Sequence, residues 1–290
     1  MLTGPLLAVH RQPALAYDTV AVRRGYPKKV SGDEMAFQYM TVEEAMLRDG
    51  LRMVVVGGVP SPWGEAAKGI LHIKGINWIA VRLAHDNETL LKWAGQRSGP
   101  VAVLDKEAPR SGWAEILLLA ERLAPEPALL PADATERALA FGLAHELLGE
   151  EGLAWSRRLQ LVDAGLKDGR GFAEPVAKYL AKKYGFRPEA SGTFGPRVAG
   201  LLRMMARHLK AQHVSGSHYY LGSSLSAVDV YSATCMALFN PLPPEQCAMD
   251  GNTRQIFERL DETTAAALDP VLLEHRDMIY ARHLELPLSL

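Results

Sequence analysis

The sequence predicts a small α/β domain followed by a larger all-helical one, and three observations carry that reading. Apolar, β-branched runs of strand length alternate with helical segments as far as about residue 125. A stretch holding Pro125, Pro127 and Pro131 then punctuates the chain, and beyond it every apolar pattern has helical spacing. The domains are accordingly drawn at 35–125 and 133–290, with 126–132 as a linker and 1–34 as a poorly structured arm.

That arm carries Pro5, Pro13 and Pro27 and the basic pairs Arg23-Arg24 and Lys28-Lys29 without a sustained period, and Met35 is a candidate alternative start. Thr41 and Glu44 have the spacing of a capping box and should open a short helix running to about Arg48, after which Asp49-Gly50 turns the chain. Residues 51–56 read as a buried strand ended by Gly57-Gly58. Pro62 suits a first helical position, because its missing N–H would be unbonded there in any case, and the helix should run to residue 73 before Gly75 stops it. Residues 77–83 alternate as a second strand, parallel to the first through the right-handed crossover. A short helix is expected over 87–93. Gly99-Pro100 opens a third strand to Leu104, residues 105–110 make a turn and an edge strand, and 112–123 form an amphipathic helix. In the second domain helices are expected over 134–150, 153–164, 172–184, 195–213 and 226–239, with one or two more in the tail and Pro270 as a break.

Composition narrows the function classes. Of 290 residues 48% are hydrophobic and 22% charged, an ordinary globular balance. With 32 basic and 33 acidic residues the net charge is −1, so no field over the whole molecule draws it to nucleic acid or to an anionic membrane, and neither is expected as a partner. No run is long enough to span a bilayer, and the N-terminal apolar patch is broken by Pro5, unlike a signal peptide. Cys235 and Cys247 match no disulfide framework or redox spacing, which points to a reducing, cytoplasmic setting. No metal is expected. His145-Glu146 begins like H-E-x-x-H, but Gly149 stands where the second histidine belongs. His208, His213 and His218 recur every five residues, roughly 140° apart on a helix, and cannot face one ion. Ser61 is read from its position alone as a helix cap or as a residue that handles a nucleophile.

Three features, in order along the chain, resemble the cytosolic glutathione transferases, over residues 51 to about 240. A strand is followed by Ser61-Pro62-Trp63 and a helix ending KGI, similar to the start of the serine-type enzymes. Gly99-Pro100-Val101 occupies the place of that family's cis-proline. The segment YYLGSSLSAVDVYSAT resembles the family's Y-L-x-G-x-x-x-S-x-A-D-I stretch, in which Ser226 and Asp229 would cap a buried core helix, a structural role.

The resemblance implies a thioredoxin-like N-terminal domain joined to an all-α C-terminal domain, a homodimer, and a cleft that binds glutathione as co-substrate. It implies that Ser61 donates to the glutathione thiolate at a helix N-terminus and lowers its pKa, so that the sulfur attacks a hydrophobic electrophilic small molecule. Conjugation, ether cleavage, dehalogenation and isomerisation share that step. Pro62, Trp63, Gly99, Pro100, Val101, Arg110 and Ser111 would contact glutathione, and Trp155, Arg157 and Arg158 would border the pocket for the electrophile, the arginines as partners for a carboxylate or oxyanion. One departure stands out. The family presents Glu-Ser or Gln-Ser to the γ-glutamyl group, whereas this chain has Arg110-Ser111, where Arg110 would favour a ligand bearing a free carboxylate or phosphate. The alternative is a non-catalytic binding or scaffold protein that keeps the fold without the glutathione site.

Overall fold

A computed structural model describes residues 38–290. The arm at 1–34 and the alternative start at Met35 lie outside the described residues. Thr41 caps the first helix, α1 (Val42–Met46), through the expected box: its backbone N–H and its hydroxyl both donate to the Glu44 carboxylate, and the Glu44 N–H donates back to the hydroxyl. The sheet then has three strands, β1 (Leu51–Val55), β2 (Ile79–Arg82) and β3 (Val101–Leu104), in the order β2-β1-β3. β2 runs parallel to β1 and β3 antiparallel, as the crossover through α2 (Pro62–Ile73) requires. The edge strand expected over 105–110 reduces to a single bridge between Ala102 and Arg110.

All five residues of β1 are buried because both faces of the sheet are covered. Leu51, Met53 and Val55 face α2 and α4 (Trp113–Leu123), while Val54 packs with Val81, Val101 and Val103 against α1 and α3 (Glu88–Ala94). Arg52 is the polar exception on the second face. Its guanidinium donates to the backbone carbonyls of Ala45, Arg48, Val103 and Asp105, so it closes the C-terminal end of α1 instead of lying uncompensated in the core.

The helical lobe consists of α5 (Ala134–Leu148), α6 (Leu153–Asp168), α7 (Glu174–Lys183), α8 (Ser191–Val214), α9 (Ala227–Cys235), α10 (Gly251–Glu258), α11 (Glu262–Ala267) and α12 (Pro270–His283). α8 starts a turn earlier than its sequence suggests, preceded by a 3₁₀ turn at Pro188–Ala190, and Pro196 is accommodated inside it. Pro196 falls in the second turn, where only the earliest intrahelical bonds are affected. Pro270 does not break a helix; it occupies the first turn of α12, capped by Asp269, and the tail holds three helices. Asp229 at the start of α9 is fully buried. It accepts from the Ser226 N–H and hydroxyl at 2.8 and 2.7 Å, the Tyr220 N–H at 2.8 Å and His275 Nε2 at 3.0 Å. A carboxylate can only accept, so the His275 Nε2 carries the proton.

α2 packs on both α4 and α9, which welds the α/β lobe to the helical one through a shared core. Lys74, at the end of α2, reinforces the joint. Its buried ammonium pairs with Glu121 at 2.7 Å and donates to the carbonyls of Ala124 and Pro127, which tethers the chain between the lobes. Among the described residues no helix is long and apolar enough to cross a membrane.

Candidate active site

A cleft opens where the start of α2, the turn before β3 and the end of α5 converge. Its cavity of about 440 Å³ is bordered on the α/β side by Trp63, Gln96, Ser98, Gly99, Pro100 and Ser111 and on the helical side by His145, Leu148, Trp155, Lys183 and Tyr184. The Gly99-Pro100 peptide is cis, as the resemblance implies. Gly99 packs closely on β1: a Cβ there would lie 3.2 Å from the Val54 carbonyl oxygen and 3.4 Å from the Val55 Cα, tight enough that β1 would have to give by a few tenths of an ångström. The turn can therefore bring its backbone against the strand and present the proline edge to the cleft.

Trp63 joins the two sides. Its indole N–H donates to the Leu148 carbonyl at 2.7 Å, supplying a partner for an otherwise orphaned acceptor at the end of α5, and its ring lies 6.1 Å from that of Tyr184. Tyr184 meets Trp155 edge-on at 4.7 Å. Behind this pair a second cavity, about 380 Å³, continues between α6 and α8 and shares Glu150, Trp155 and Tyr184 with the first. Gly149 crowds against His145: a Cβ on it would fall 2.3 Å from the His145 Nδ1, so glycine at 149 sets where the imidazole stands at the cleft.

Of the residues singled out from sequence, Trp63, Gly99, Pro100, Ser111 and Trp155 meet on this cavity. Ser61, Pro62 and Val101, next to them in the chain, are buried and do not line it. Ser61 occupies the cap position of α2 at 6% exposure, yet its side chain makes no capping bond, which leaves the hydroxyl uncommitted to the helix. Thus the simple reading of Ser61 as a side-chain cap does not hold.

Three arginines do not do what their positions in sequence suggest. Arg110 turns away and pairs with Glu107 at 2.6 Å, a carboxylate shared with Arg122, and these two cations hold the Glu107 pKa below the usual range. It does not border the cavity. The acidic group near Ser111 is instead Glu115, whose Oε2 accepts from the Ser111 and Gly112 N–H groups at 3.0 and 2.9 Å. Arg157 is a structural residue: 2% exposed, it donates to the carbonyls of Leu238, Phe257 and Arg259 and to Gln160 Oε1. Burial lowers its pKa to about 10, still charged at neutral pH. Arg158 lies between the rings of Phe172 and Phe257, at 5.8 and 5.6 Å, and its buried Nε has no hydrogen-bond partner among the described residues.

Gln96, Ser98, Trp113, His145, Lys183 and Tyr184 also border the cavity and were not anticipated. Only His145 had drawn notice in the sequence, as the start of an H-E-x-x-H pattern that Gly149 leaves incomplete. Lys183 is the most perturbed group there, its pKa lowered to about 8 first by burial and then by the nearby charge of Arg158.

No protein-family model matches the sequence, and no curated protein matches it. Solved structures do resemble the fold. A glutathione S-transferase domain-containing protein of Marinobacter aquaeolei VT8 is 14% identical with a TM-score of 0.57, covering 80% of this chain and 98% of its own. The β-etherase LigF of Sphingobium sp. strain SYK-6 is 16% identical at 0.56, covering 80% and 95%. A glutathione transferase family member of Pseudomonas fluorescens Pf-5, solved with two glutathione molecules bound, is 14% identical at 0.55, covering 81% and 89%. The chain thus has the glutathione transferase fold, a thioredoxin-like α/β domain followed by an all-helical one.

Proposed function

We propose that the protein is a glutathione transferase-like enzyme that activates the glutathione thiol for attack on a hydrophobic electrophile bound in the same cleft. The observation that carries this reading is the convergence on one cavity of the cis-Pro100 turn, Ser111 and the first turn of α2. The edge of Pro100 suits the backbone of an extended peptide. The amides at the start of α2 supply positive potential for an anion, and the uncommitted Ser61 hydroxyl is a donor to a thiolate. Glu115 beside Ser111 offers the negative charge that a γ-glutamyl ammonium needs, which Arg110 could not. Support from relatives lies in the fold and in the glutathione that the Pseudomonas structure holds.

Glutathione that binds only the native state must raise the unfolding midpoint as its concentration rises. We expect that shift at millimolar glutathione, together with conjugation of an aryl halide that falls about 100-fold in kcat in Ser61→Ala. A midpoint shift without turnover on any electrophile would instead identify a binding protein that keeps the fold. No shift at all would overturn the glutathione reading. Assembly as a homodimer in the cytoplasm belongs to the same reading, with light scattering as its check.

A further inference from the structure

The helical side of the cleft holds a cation, Lys183, that no acidic side chain pairs with among the described residues. Lys183 ends α7, borders the cavity, and has its ammonium 5.6 Å from the centre of the Tyr184 ring. Among the described residues it makes no ion pair, unlike Lys178 one turn earlier on the same helix, which binds Glu174 at 2.6 Å. Arg158 adds positive potential from within the core and likewise has no anionic partner among the described residues. The remaining charged or titratable groups facing the site are Tyr184, also on the cavity, and His145 and Glu150, which are exposed at its mouth, where solvent screens them.

A cation kept in such a place without a partner disfavours its own charged state, as its lowered pKa reflects. An anion entering the cleft would remove that penalty, whereas a neutral ligand would leave it standing. The cation reaches the cavity from the helical lobe, whereas the Pro100 turn and Ser111 border it from the α/β lobe, so it serves the portion of the cleft that the electrophile would fill, with Trp155 and Tyr184 supplying flat apolar surface on the same lobe. We infer that the electrophile is an aromatic or similarly flat molecule bearing one anionic group, a carboxylate, and that Lys183 is the residue that binds this group. The inference rests on the transferase reading for the word electrophile, but the binding preference itself does not.

Two matched pairs of probes separate the claims. The unreactive pair, 3-nitrobenzoate and 3-nitrobenzamide, is titrated without glutathione against the fluorescence of the cleft tryptophans. The reactive pair, 4-chloro-3-nitrobenzoate and 4-chloro-3-nitrobenzamide, is followed for conjugation. The acid should bind roughly tenfold or more tightly than the amide, a usual worth for a charge-assisted contact. Lys183→Met should erase that ratio without changing amide affinity, and Lys183→Arg should keep most of it. The preference should fade as pH rises through about 8, where free Lys183 loses its proton. Equal binding of acid and amide, equal loss of both in Lys183→Met, or a loss confined to glutathione affinity overturns the inference. A carboxylate preference without conjugation leaves it standing and defeats the transferase reading; conjugation without preference does the reverse.

Discussion

Arg157 and Arg158 are neighbours on one helix and meet opposite fates. Arg157 belongs to a junction of α6, the turn after α9 and the end of α10, where its guanidinium makes four hydrogen bonds, to three backbone carbonyls and Gln160. Arg158 instead lies in the core between two aromatic rings with its Nε unpartnered among the described residues, and Lys183, which does border the cleft, makes no ion pair among them. A buried charge whose hydrogen bonds are complete holds the chain together; one left open is a cost to the fold that a ligand can relieve.

The sharpest way to break this contrast is to remove the saturated group. Arg157→Met should lower stability by about 4 kcal/mol, since it orphans buried carbonyls at roughly 1–3 kcal/mol each; a loss under about 1 kcal/mol in urea unfolding would mean the junction tolerates open acceptors. Lys74→Met, which removes the cation paired with Glu121 and the donor to the Ala124 and Pro127 carbonyls while leaving Glu121 its bond from the Leu129 N–H, should cost about 3 kcal/mol by the same measurement. Ser61→Ala tests the middle ground. The lack of a capping bond predicts a stability change within about 0.5 kcal/mol, although activity falls by two orders of magnitude; a loss of a full cap's worth would show that the hydroxyl serves the helix after all.

The smallest effect should come from the open cation. Lys183→Met is expected to be neutral or slightly stabilising at pH 7, because it deletes a charge that the native state disfavours. The sign with pH follows from linkage. Folded Lys183 titrates near 8 and unfolded lysine at its ordinary 10.5, so in that window the unfolded chain binds more protons and wild-type stability rises relative to the variant. Any advantage of Lys183→Met should therefore shrink as pH rises from about 8 to 10.5. An advantage that grows over that interval would contradict a desolvated lysine.

Much of this was legible in advance where local chemistry leaves few choices. The capping box of Thr41 and Glu44, the buried run of β1, the proline that opens α2 and the Ser226-Asp229 start of α9 all formed as their residues suggested. The start of α8 was misplaced by a turn because Pro196 stands inside it, at the cost of one intrahelical hydrogen bond that the local pattern gave no reason to expect. In the site, Gly99 and Pro100 were picked out by the family resemblance and do border the cavity, whereas the local pattern at Ser61 left its role open. Lys183 and Tyr184 were not, since a lysine near a helix C-terminus looks like a solvated end favourable to the dipole, and nothing nearby in the chain says that α6 will bury it.

By itself, then, the sequence determined most of the elements, their order and the class of fold, because capping, periodicity and turn chemistry act over a few residues; the edge at 105–110, the start of α8 and the tail around Pro270 were settled by packing. Only the tertiary structure decided which arginines are structural, that Arg110 belongs to Glu107 while Glu115 serves Ser111, and that Lys183 faces a cavity. Those outcomes depend on desolvation and on partners up to about a hundred residues away, as in the 2.8 Å bond from Arg157 to the Arg259 carbonyl, and a chain pattern encodes neither.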